Sequence, residues 1–133
     1  MRWGWGPGVG KSAYAGVYRN GSKHWGDQRI HPAVTLSGAQ GPTLEARLVH
    51  YVDRNISDML SRLDWYTSER ARDLRGSGDI GTYRSNLRRM VTRFWKCYVG
   101  RKGYREGPYG LLIALCAALY PMLSYLKARY EAE

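Results

Sequence analysis

The chain has 133 residues and carries 21 Lys and Arg against 11 Asp and Glu, a formal net charge of +10. That length holds one ordinary domain or part of a larger protein, and 44 % hydrophobic with 13 % aromatic residues excludes a wholly disordered chain. The charge points to anionic partners, whether nucleic acid, anionic lipid or phosphorylated substrates.

Residues 1–13 are rich in Gly and Trp and follow neither a helical nor a strand period, so they read as irregular. They contain no apolar run of the kind a secretory signal needs. Gly8-Val9-Gly10-Lys11-Ser12 invites comparison with a phosphate-binding loop. Such a loop needs a glycine five residues ahead of its Gly-Lys-Ser, to turn the backbone N–H groups onto the phosphates. Trp5 stands there, no apolar strand precedes it, and a nucleoside triphosphate site is set aside.

Residues 14–54 carry signals for short strands and turns. Ala15–Arg19, Ala33–Leu36 and Leu44–Val49 are the candidate strands, punctuated by Gly21-Ser22, Gly38 and Gly41-Pro42. From residue 55 the pattern turns helical. Asn55, followed three residues later by Asp58, reads as an N-cap with a shortened capping box. Ile56, Met59, Leu60, Leu63, Tyr66, Ala71 and Leu74 then recur at three- and four-residue steps, which predicts a helix over 56–75 stopped at Gly76-Ser77-Gly78. A second helix is predicted over 82–99, with Leu87, Met90, Val91, Phe94, Trp95 and Tyr98 as its apolar stripe. Arg84, Arg88, Arg89, Arg93 and Lys96 lie mostly elsewhere on its wheel. Between Gly81 and Lys127 the only acid is Glu106, so residues 55–106 hold two amphipathic helices, the second strongly basic.

Residues 107–133 open with GPYGLLIALCAALYPMLSYL, 20 residues without a charge. That is near the lower length for a helix that crosses a bilayer. Pro121 and the marginal length favour a segment that lies in or dips into one leaflet. The basic helix beside this run suits anionic head groups, and the nearby aromatics suit the interfacial belt. Expected membrane contacts are Arg89, Arg93, Trp95, Lys96, Tyr98, Arg101, Lys102, Tyr109, Leu112 and Leu115. An ordinary soluble core helix is the plainer alternative. A nucleic-acid interface is the least favoured, because it leaves the uncharged run without a purpose.

The remaining chemistry is sparse. His24, His31 and His50 have no zinc-ligand spacing, and Cys97 and Cys116 lack both metal spacing and a disulfide framework. No metal site is predicted. The overall expectation is an α+β, mostly helical chain: a short irregular β region followed by three helices, the last apolar and membrane-associated.

A longer pattern spans the chain from about Tyr14 onward. Trp25, Ile30-His31-Pro32, His50-Tyr51, Leu63, Tyr66-Thr67, Ala71, Phe94, Tyr98, Gly103, Gly107 and Gly110 follow one another in an order and spacing that resembles the C-terminal portion of bacterial family-2 glycosyltransferases of the lipopolysaccharide-core and cell-envelope type. The resemblance implies an enzyme at the cytoplasmic face of the bacterial inner membrane, peripheral or monotopic. It would move a sugar from a nucleotide donor to an envelope glycan or lipid-linked acceptor. It also implies an upstream nucleotide-binding αβα domain whose Asp-x-Asp pair holds Mg or Mn, and a further carboxylate as general base. The first carboxylate of this chain is Asp27. The chain is therefore expected to be an incomplete GT-A enzyme, with no cofactor of its own and no catalysis alone. On the same resemblance Trp25, His31 and Arg19 are the expected substrate-binding residues: an indole to stack on a sugar, and cations for its phosphates. A small non-enzymatic basic protein of the membrane surface is the alternative.

Overall fold

A computed structural model describes residues 16–30, 32–42 and 53–131. The order is a two-stranded antiparallel hairpin, β1 (Lys23–Trp25) and β2 (Val34–Leu36), then helices α1 (Ile56–Ser77), α2 (Tyr83–Trp95) and α3 (Gly107–Tyr130). A π-helical turn, Lys96–Gly100, and a 3-10 turn, Gly103–Glu106, join α2 to α3. This is the α+β, mostly helical arrangement the sequence predicts. The calls on residues 1–13, on Leu44–Val49 and on His31 and His50 lie outside the described residues.

The hairpin differs from expectation in one strand. Gly16–Arg19 is not extended into a ladder; the strand that pairs with Val34–Leu36 is Lys23–Trp25, with His24 opposite Thr35. The Ser22 N–H and hydroxyl both turn back onto the Arg19 carbonyl, so residues 19–22 form the turn that the sequence had supplied as a strand end. Lys-His-Trp carries no apolar alternation by which to recognise it. The segment after β1 is tied to α1 through Arg29, whose N–H donates to both carboxylate oxygens of Asp73 at 3.2 and 3.3 Å.

The helices begin and end where side-chain chemistry allows. The Asn55 side chain accepts the Asp58 N–H at 2.8 Å, and Gly78 closes α1 in the left-handed conformation. The Asp58 carboxylate accepts the Arg54 N–H, one residue earlier than a capping box would have it. Asn55→Ala is expected to cost about 1 kcal/mol of stability, read as a lower urea midpoint at unchanged slope. At α2 the box is complete: the Thr82 hydroxyl accepts the Ser85 N–H, and the Ser85 hydroxyl accepts the Thr82 N–H.

Helix α3 is the centre of the molecule. Both α1 and α2 pack against it and neither packs against the other. Gly110, Ala114 and Ala118, at four-residue steps, are buried on α3, and Ala71 and Thr67 are buried on α1. Small residues let helix backbones approach closely. Thr67 is accommodated because its hydroxyl donates to the Asp64 carbonyl at 2.9 Å. Lys127 clamps α3 to α1: its ammonium, on a side chain only 12 % exposed, donates to the Asp64 carbonyl and carboxylate and to the Ser68 hydroxyl. Arg75 closes the same end by donating to the Lys127 and Glu131 carbonyls. Pro121 is buried inside a helix that continues to Tyr130. The lost N–H removes one helical bond, and packing on both sides carries the helix through.

The turn between α2 and α3 depends on its glycines. Gly107 has φ 61 and ψ −146, a region essentially reserved for glycine. At Gly110 a Cβ would run into the carbonyl oxygen of Gly103 and sit 2.9 Å from the Glu106 Cβ. The 3-10 turn therefore rests directly on the first turn of α3. That contact reverses the chain and lays α2 back along α3, with Arg93 over the Tyr120 ring at 5.2 Å.

Candidate functional site: an arginine-lined cleft and an apolar face

Two surfaces stand out, on opposite flanks of α2. The first is a cleft of about 250 Å³ where the end of α1, the 79–81 link, α2 and α3 meet. Arg70 comes from α1, Arg89 and Arg93 from α2, and Tyr120 with Ser124 from α3; Asn86 and Asp79 complete the polar lining. The four-residue step from Arg89 to Arg93 puts both on one edge of α2. Arg93 is held against the Tyr120 ring. Arg70 has a long ion pair of 3.9 Å with Asp73, a carboxylate that also accepts from Arg29. Asp79 is engaged with the Gly81 N–H at 3.0 Å. Burial pushes the Tyr120 phenol above its ordinary pKa, against the lowering pull of Arg70 and Arg93.

The second surface is apolar. Tyr83, Leu87, Val91, Trp95 and Val99 follow each other at four-residue steps and are all exposed, Trp95 at 59 %. On α3, Leu111, Leu115 and Leu119 make a second exposed row at the same step. Helical geometry places the α2 row on the edge of its buried face opposite Arg89 and Arg93. The helix Gly103–Tyr130 is long and apolar enough to cross or associate with a membrane, and nearly half of its most apolar stretch is buried within the protein.

The expected site residues are distributed as follows. Trp95, Lys96, Arg101, Lys102 and Leu115 are exposed, as membrane contact requires, whereas Tyr98, Tyr109 and Leu112 are half-buried. Tyr98 stacks on Phe94 with ring centroids 5.4 Å apart and meets Tyr104 edge-on. Arg89 and Arg93 line the cleft. Trp25 sits on β1 and Arg19 in the turn ahead of it, both outside the cleft lining. The Trp25 indole is 60 % exposed, and the Lys23 ammonium lies over it at 3.8 Å and over the Tyr18 ring at 4.6 Å. Arg70, Asn86, Tyr120 and Ser124 escaped the sequence reading; the four-residue spacing of Tyr120 and Ser124 inside an apolar run was the available signal.

Among the described residues no group of three or more His, Cys, Asp or Glu side chains comes together; the resemblance puts its divalent metal on the upstream domain. Comparison with known protein families, with curated proteins and with solved structures gave no match.

Proposed function

We propose that the chain is the acceptor-side, membrane-docking portion of a glycosyltransferase that moves a sugar from a nucleotide donor to an envelope glycan or lipid-linked acceptor. It docks on the anionic cytoplasmic face of the bacterial inner membrane through the outer face of α2 and α3. The observation that carries the docking is the pair of exposed rows, Leu87-Val91-Trp95 and Leu111-Leu115-Leu119, on a chain of net charge +10. Rows of this kind bury their apolar area in the head-group region, while the basic side chains attract anionic lipid. Because α3 is packed between two polar helices, docking along one face agrees better with its burial than a span does. The transferase half of the proposal rests on the motif order from Trp25 to Gly110. On that reading Trp25, exposed on the hairpin, offers its indole to an acceptor sugar and Arg19 supplies a cation for its phosphates.

Purified chain mixed with anionic vesicles and core oligosaccharide tests both halves. The transferase reading expects saturable oligosaccharide binding that Trp25→Ala weakens, and no transfer from a nucleotide sugar by this chain alone. The second reading is a non-enzymatic basic protein of the membrane surface. It rests on the same exposed apolar rows and net charge, and needs no sugar-binding site. It expects vesicle binding with no oligosaccharide affinity.

A further inference from the structure

We infer that the cleft between α1, α2 and α3 is a binding site for a small phosphoryl anion, a phosphate or diphosphate group, gripped by Arg70, Arg89 and Arg93. Three guanidinium-bearing side chains from two helices line one cavity, against a single carboxylate among the described lining residues, Asp79, which accepts the Gly81 N–H through one oxygen. Planar guanidinium forks match phosphate oxygens two at a time, and such charge-assisted bonds are the strong ones. The cavity is also preorganised. Tyr120 holds Arg93, and the Gly110 turn fixes α2 against α3.

Size narrows the ligand. A volume of about 250 Å³ falls below the roughly 300–1,000 Å³ of pockets that enclose drug-sized molecules. It takes a phosphate or diphosphate group with associated water. The site lies on the flank of α2 away from the apolar rows, so it is reached beside the membrane-docking face. Two sources share this chemistry, a soluble phosphate or diphosphate and a lipid phosphate head group. The inference does not require the membrane reading, and the first arm of its test contains no lipid.

Pyrophosphate is titrated calorimetrically into the whole chain, alongside Arg89→Gln, Arg93→Gln, Arg93→Lys and Arg84→Gln. Arg84 lies on α2 outside the cleft lining, and its substitution removes the same charge. Thermal melts establish that each variant is folded. Wild type is expected to saturate. Arg89→Gln and Arg93→Gln each weaken binding about tenfold, the loss of one charge-assisted contact. Arg93→Lys weakens it by a smaller factor, because it keeps the charge and loses the fork. Arg84→Gln changes it less than about twofold. Equal losses in Arg84→Gln and Arg89→Gln mean diffuse attraction and overturn the site, as does the absence of saturation. The second arm repeats the comparison on phosphatidic acid vesicles. Weakening there as well as with pyrophosphate assigns the site to a lipid head group, and weakening with pyrophosphate alone assigns it to a soluble anion. Either pattern supports the site.

Discussion

Gly110→Ala is expected to destabilise the protein by about 3 kcal/mol, lowering the melting temperature by about 10 °C. The added Cβ meets the backbone carbonyl of Gly103 and the Cβ of Glu106, neither of which can rotate away as a long side chain would. Relief requires the 3-10 turn to lift off α3. That would loosen the reversal which lays α2 along α3, so the variant should also lose pyrophosphate affinity in proportion to the α2 displacement. Gly76→Ala is the matching control with the opposite sign. Gly76 lies in the last turn of α1, a Cβ there meets nothing within 4 Å, and its φ is not in the left-handed region. Alanine at that position should stabilise the protein by about 0.5–1 kcal/mol through helix propensity. Equal and small effects at both positions would mean that the turn does not rest on α3.

The second large effect concerns the apolar face. Trp95→Ser and Leu115→Ser each remove an exposed side chain from the α2 and α3 rows, so folding stability should change by no more than about 0.5 kcal/mol. Binding to anionic vesicles should fall by about fivefold to tenfold for each. The double variant should fall by about twenty-five- to a hundredfold, because burying a large apolar side chain is worth about 1.5–3 kcal/mol when complete and less at an interface. Leu60→Ser removes a comparable exposed side chain from α1 and should leave vesicle binding within about twofold. A Leu60→Ser effect as large as that of Leu115→Ser would show that the chain adheres by general stickiness, with no docking face.

Much of the fold is legible in the sequence because it is written in local terms. The 3.6-residue period from Ile56, the Asn55 cap and Gly78 place α1 within two residues of its observed end. The 82–99 pattern contains α2 and all but the last residue of the π turn. What spacing cannot supply is which edge of α2 meets α3. Arg84, Arg88, Arg89 and Arg93 look alike in the sequence; packing alone puts Arg89 and Arg93 in the cleft wall. The same packing leaves Leu87, Val91 and Trp95 exposed and turns Phe94 inward, although the period counts all four in one apolar stripe. Thr67 shows the converse. A polar residue skipped by any hydrophobic count is fully buried, because its hydroxyl donates to the Asp64 carbonyl. Pro121 shows a related effect: the rule against internal proline is local, and the burial that overrides it inside α3 is tertiary.

The most direct test of membrane docking is co-sedimentation with phosphatidylcholine vesicles prepared with and without phosphatidylglycerol, at low and at high salt. Docking by the α2 and α3 face predicts strong binding to the anionic vesicles and weak binding to the neutral ones. Added salt should reduce it, since the Debye length shrinks from about 10 Å at 0.1 M to about 3 Å at 1 M. A residue of binding should persist in high salt and disappear in the Trp95→Ser/Leu115→Ser double variant. No binding to anionic vesicles at low salt, or binding that the double variant leaves unchanged, would contradict it.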